Sequence, residues 1–288
     1  MKPHRQRSSA LAGWMLATPL ATVLGLFLVL PVAVIVAVSF WTATEWSYEP
    51  GFNLENYEFL LTSSVTLSVY IKTLTYVALT WFFTLIIGFT VALFLAFHVS
   101  SLVWQVSLFL LCTIPFWTSN IIRMIAWIPF LGRNGLANSA LLDLGVIETP
   151  LEWLLFSDFA VVLAFVHLYS LFMVVPIFNT MMRIDRSLIE AARDAGASDF
   201  QILMNVIGPL SKPGIMIGSI FVVTLVMGDF ITVRFMSGGN SASVGRVISN
   251  EISLLQYPAA AASAVVLLIT VLIMIAAMLR AVDIRSEL

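Results

Sequence analysis

Long apolar runs alternate with short polar segments along this chain, and the run lengths predict its architecture. Six runs, near 14–40, 68–97, 102–130, 160–182, 214–236 and 259–279, reach the roughly 20 residues that a helix needs to cross a bilayer. The pattern predicts an all-α integral membrane protein of six transmembrane helices, with a tail over 1–13 and a single six-span domain over 14–288. The first run follows a basic leader (Lys2, Arg5, Arg7), as a secretory signal does. It outlasts the ~7–15 apolar residues of a signal core, so it reads as a retained span.

Between spans four and five the pattern changes. Ser187 and Glu190 have the S-x-x-E spacing of a capping box, which opens a helix by satisfying its first amides. Leu188, Ala191, Ala192 and Ala195 then share one face at i, i+3, i+4 and i+7. Gly196 stands where helices commonly end in a left-handed residue. Ser198 and Gln201 offer a second box, and the helix they open carries Phe200, Leu203, Met204 and Ile207 before an expected stop at Gly208-Pro209. The alanine face lets another surface approach the backbone closely, while Arg193 and Asp194 project toward water or a partner. Helices shorter than about 12 residues rarely persist alone, so span ends, a partner or both must hold this two-helix segment over 187–209.

Composition and charge sharpen the picture. Of 288 residues, 60% are hydrophobic and only 10% charged, against about a quarter charged in soluble domains; a soluble fold is excluded. The lone Cys112 lies in an apolar run, which excludes a disulfide or a cysteine metal site. The N-terminus, the 98–101 turn, 183–213 and the C-terminal tail together carry nine basic residues: Lys2, Arg5, Arg7, Arg183, Arg186, Arg193, Lys212, Arg280 and Arg285. The opposite loops (41–67, 131–159 and 237–258) carry Arg133 and Arg246 against nine acids. The positive-inside rule therefore places both termini and the two-helix segment in the cytoplasm. The acidic outer loops would attract a cationic solute or a basic docking surface, although salt screens the effect within about 8 Å.

Glu190-Ala191-Ala192, Gly196 and Pro209 carry a further signal. Their spacing resembles the EAA signature of inner-membrane permease subunits in binding-protein-dependent ABC importers, with Val206 and Gly208 replacing an Ile and a Leu of the family pattern. The resemblance implies that Glu190, Ala191, Ala192, Arg193, Asp194, Gly196, Ser198 and Pro209 belong to a coupling segment seated on a cytoplasmic ATPase dimer. It also implies a second related permease subunit (a heterodimer in preference to a homodimer), a periplasmic solute-binding protein and a place in a bacterial inner membrane. ATP and magnesium would be bound by the ATPase, with no cofactor in this chain and no nucleic-acid partner. Three other stretches are similar to polyamine-type permeases: Ile114 to Thr118 followed by Arg123, then Gly228-Asp229-Phe230, and Gly238-Gly239 through Ile248. Asp229 stands where that pattern more often has Glu. Permeases for opines, amino-acid derivatives or ferric iron share parts of these stretches, so those solutes are the alternatives.

Lys72, Arg123, His167, Asp229 and Arg234 lie within predicted spans, where an ionised group costs on the order of 2.5 to 3.5 kcal/mol. Arg123 and Asp229 admit two readings: they line or gate a translocation path, or they form a structural ion pair between spans three and five. Lys72 and Arg234 are near span ends and are expected to snorkel outward. His167 has no metal-ligand neighbour at i±3 or i±4 and reads as a hydrogen-bonded packing residue. Trp14, Trp41, Trp46, Trp104 and Trp153 suit an interfacial belt. Trp117 and Trp127 lie deeper, against a path or in packing. No phosphate-binding G-x-x-x-x-G-K-[ST], H-E-x-x-H or G-x-S-x-G motif occurs. A transport subunit therefore competes with a secondary carrier driven through Asp229 or His167 and with a membrane-embedded enzyme. The docking-type segment favours the first, and the missing catalytic constellation counts against the third.

Overall fold

The computed structural model describes residues 17–44 and 48–281. The tail over 1–13, Trp14, Glu45, Trp46 and Arg285 lie outside the described residues. The chain divides into two compact units, one from residues up to Ser63 with 248–266, the other from 64–247 with Leu267 onward.

In the first unit, α1 (Ala17–Val38) is long and apolar enough to cross a membrane, and none of its residues is buried. A two-stranded antiparallel ribbon pairs Thr42 with Glu49 and Ala43 with Tyr48, and α2 (Glu55–Thr62) follows. Asn56 ties α2 to the end of α1 by donating to the Ser39 and Trp41 carbonyls at 3.1 and 2.9 Å.

The second unit is built on three long helices: α3 (Ser64–His98), α7 (Asp158–Met181) and α9 (Asp199–Gly228). Helix α7 is the most buried, with Val161, Phe165, Met173 and Ile177 sealed in the core. Lipid offers no hydrophobic drive between helices, so their association depends on close approach of small residues. Gly214 of α9 supplies it, since a Cβ there would lie 2.6 Å from the Pro176 carbonyl oxygen and 2.9 Å from Ile177 Cα. Trp81 of α3 completes the contact by donating to Ser219 Oγ of α9 at 2.8 Å.

Two predicted spans differ from the structure. The run at 102–130 is not one helix but α4 (Leu102–Trp117) followed, after a bend of 89°, by α5 (Asn120–Leu131) and α6 (Leu136–Asp143). Pro115 lacks an amide, so the end of α4 tightens to a 3-10 turn, and Thr118 and Ser119 take extended conformations. The hydroxyls of Thr113 and Thr118 donate to the Leu110 and Pro115 carbonyls at 2.7 and 2.8 Å. Those bonds give two carbonyls beside the break a side-chain donor. The run at 214–236 is likewise divided, because α9 ends at Gly228 and a short α10 (Ile231–Met236) restarts beyond Asp229. Helices α11 (Val244–Ser253) and α12 (Tyr257–Ala281) complete the chain. Among the described residues, five helices are long and apolar enough to span a membrane, or six if the bent pair counts as one span.

The loop after α6 is fixed by a residue with no periodic signature. Asn138 is fully buried; its amide donates to the carbonyls of Gly132 and Leu151, each at 3.1 Å, and accepts from the Leu151 amide at 2.7 Å. Asn138→Leu is expected to cost about 1–3 kcal/mol, because the Leu151 amide and carbonyl lose their partner, whereas the Gly132 carbonyl still accepts from the Gly135 amide. A lowered melting temperature in detergent is the measurement.

Candidate functional site

Residues 187–209 fall on α8 (Arg186–Asp194) and the start of the long α9, with ends made differently from the prediction. Asp185, not the Ser187–Glu190 box, caps α8: its Oδ1 accepts from the Ser187 amide at 2.9 Å. The Ser187 amide, then its side chain, hold the Asp185 carboxyl below the usual range. The cap is therefore intact above the ordinary carboxylate pKa and is lost only as pH falls through the depressed value. Asp185→Ala is expected to speed hydrogen exchange across the first turn of α8, and Asp185→Asn, an equally good cap, to leave it unchanged.

At the other end of α8, Gly196 has φ +86°. Its amide donates to the Arg193 carbonyl at 2.9 Å, and the Ala197 amide to the Ala192 carbonyl at 3.0 Å, the two bonds of a Schellman ending. Arg193 and Asp199, 3.3 Å apart, bridge the elbow, and the Ser198–Gln201 capping box forms as predicted.

Beyond the elbow there is no stop at Gly208-Pro209. The helix passes through a π-helical stretch, Leu203–Ile207, into the bundle, with both Pro209 and Pro213 inside it. The π stretch shifts the helical register. Ile202 and Ile207 are buried with Leu203 and Val206 packed on the core, whereas Phe200 and Met204 are 70% and 56% exposed. In α8, Ile189 and Ala192 face the core. Leu188, Glu190, Ala191, Arg193, Asp194, Ala195, Gly196 and Ser198 are exposed. The outcome is an anchored helix pair that presents alanine backbone, three apolar side chains (Leu188, Phe200 and Met204) and mixed charges.

A second polar locus lies inside the bundle. Asp229 occupies the break after α9, where its carboxylate accepts from Tyr169 Oη (2.6 Å), the Thr232 amide (2.8 Å) and Thr232 Oγ1 (2.6 Å). A carboxylate has about four acceptor sites, so one remains for a further donor. Arg123 bonds Asn120 Oδ1 at 2.5 Å, and no Arg123–Asp229 ion pair forms among the described residues. Arg123 instead lies within electrostatic reach of Tyr169 and His167. One turn along α5, Trp127 Nε1 donates to His167 Nδ1 at 3.1 Å, the packing role expected of that histidine. Trp117 stands apart, 78% exposed at the end of α4. The bend and the α9–α10 break thus bring Arg123, Trp127 and Asp229 around α7, with Tyr169 as the member that no spacing rule pointed to.

A third cluster sits at the opposite end of α7. Lys72 pairs with Asp158, which also accepts from Tyr76 Oη at 2.5 Å. Tyr76 Oη shares a second 2.5 Å bond with Ser241 Oγ.

The exposed helix pair is thus continuous, through α9, with a polar break inside an apolar helical bundle. Comparison with known proteins gives the lineage. The chain is 34% identical over 252 residues to the spermidine/putrescine transport system permease protein PotB of Escherichia coli (strain K12), covering 87% of this chain and 90% of the relative. It belongs to this family of ABC-transporter permease subunits, which are inner-membrane transport proteins and not enzymes. The PotC permease protein of the same system is 32% identical over 106 residues, 37% of this chain and 40% of the relative. A chain of the bacterial alginate ABC transporter, solved with its pentasaccharide-bound periplasmic protein, has the same fold with TM-score 0.76, covering 99% of each chain at 16% identity. Among protein-family models, none matches the chain.

Proposed function

We propose that this chain forms half of the translocation path of an ATP-driven importer for a small, cationic, polyamine-like solute. The kinship with PotB over most of the chain carries the reading. In it, the bent pair α4–α6 counts as the third of six spans, the tail over 1–13 and the C-terminus are cytoplasmic, and residues 14–288 work as one permease domain. The excess of basic residues on that side supports the orientation. An ATPase dimer, which holds the ATP and magnesium, grips Glu190, Ala191, Ala192, Arg193, Asp194, Gly196 and Ser198, with Pro209 and the π stretch behind them. Closure of the dimer moves α8 and the start of α9, and the continuous α9 carries that motion to Asp229. A solute-binding protein delivers solute from outside, and a second related permease completes the path, which the kinship to both PotB and PotC supports. Asp229 offers its unused acceptor site to an ammonium group, with Trp127 supplying an aromatic face and Arg123 disfavouring a cation at rest, while Trp117, apart from this cluster, is left to another stretch of the path.

The test begins with the tagged chain purified from its own membrane in mild detergent and its partners identified by mass spectrometry. The recovered complex, placed in liposomes with its binding protein, is expected to import putrescine or spermidine only with ATP inside. A chain that comes out alone, under conditions that keep other membrane complexes intact, sinks the reading in favour of an ion-driven carrier.

A further inference from the structure

The cluster around Asp158 has no part in that scheme, yet it is built like a binding site. Tyr76, 1% exposed, is locked between Asp158 and Ser241. Two further bonds pin the loop that carries Ser241: the Val244 amide donates to Thr73 Oγ1 at 3.0 Å, and Asn240 Nδ2 to the Phe156 carbonyl at 2.9 Å. Carboxylate and hydroxyls are therefore held by the fold. Lys72 is the one flexible member, and the side chains of Lys72 and Asp158 remain 39% and 50% exposed.

We propose that Asp158, Tyr76 and Ser241 form a docking site for the primary ammonium end of an alkylamine, and that Lys72 occupies it as a built-in surrogate. A lysine side chain is a butylammonium group, with three donors on a four-carbon stem. A free primary alkylammonium presents the same donors on the same kind of stem, so it satisfies the same carboxylate. Asp158 is never left without a cation: Lys72 withdraws as the ligand arrives and returns when it leaves. The exchange is easy because a solvent-exposed ion pair is worth little. The site lies at the end of α7 away from the helix pair, which the proposed orientation places outside, where solute first meets the chain. That the natural ligand is a polyamine rests on the proposed function; recognition of an alkylammonium does not.

The test is equilibrium binding of radiolabelled putrescine, and its competition by n-butylammonium, to the assembled transporter in lipid nanodiscs without binding protein. Lys72→Met is expected to tighten both by up to about fivefold, the factor an exposed ion pair is worth. Adding Asp158→Asn to that variant should remove the gain. Lys72→Gln repeats the experiment if the methionine variant fails to assemble. If the Lys72 and Asp158 variants all bind both amines as the wild type does, the cluster is a structural brace and the proposal is overturned. Uptake with binding protein reports separately: a wild type that imports no polyamine, yet binds butylammonium with these dependences, refutes the polyamine reading and keeps the site.

Discussion

Gly196→Pro is expected to leave the chain inserted in the membrane and to abolish transport. The residue has φ +86°, which an L-residue adopts only at a cost of roughly 1–2 kcal/mol and proline, fixed near −65°, cannot adopt at all. Proline also removes the amide that bonds the Arg193 carbonyl, one of the two bonds that end α8. The elbow would open, and α8 would lose its angle to α9 and so its fit to a docking partner. The long helices of the bundle pack elsewhere, so membrane insertion by immunoblot should equal the wild type. Gly196→Ala, with strain but an intact amide, should fall between. Transport at the wild-type rate in the proline variant removes the docking role from this segment.

Gly214→Val should act on the whole second unit. A Cβ at this position meets the Pro176 carbonyl oxygen and Thr180 Oγ1 at 2.6 Å, and Ile177 Cα at 2.9 Å. Two of those three atoms belong to the backbone of α7 and cannot rotate away. Overpacking costs about 1–3 kcal/mol where side chains can yield, and here α7 and α9 must separate. The expected result is little folded protein after detergent extraction, with Gly214→Ala recovered at a lowered melting temperature. A valine variant with wild-type melting would mean that these helices are not in close contact in the membrane.

The sequence made some features legible and concealed others for physical reasons. Apolar run length follows from bilayer thickness, so the long helices were readable; so were the Ser198 box and the left-handed Gly196, because local hydrogen bonds decide both. The bend at Thr118-Ser119 was not, since proline in an apolar run either kinks a helix or ends it, and neighbours choose. The inward face of the second helix was not readable, because the stripes through Phe200 and Met204 and through Ile202 and Val206 are both apolar, and only packing selects the second for the core. Within the site, Arg123 and Asp229 were found by their charge alone. Tyr169, which holds the Asp229 carboxylate, is one more aromatic in an apolar helix, and only the fold shows what its hydroxyl meets.

Helix α9 runs unbroken for 30 residues, from the exposed elbow to the Asp229 break. At 1.5 Å per residue that is roughly 45 Å, well beyond the ~30 Å of a hydrocarbon core. Such a rod carries signals both ways. If a nucleotide state at one end alters how firmly an ammonium is held at the other, linkage requires the ammonium to alter nucleotide affinity by the same factor. The ATPase would then sense from the cytoplasm whether cargo is held at Asp229, and this chain would set how readily fuel is spent.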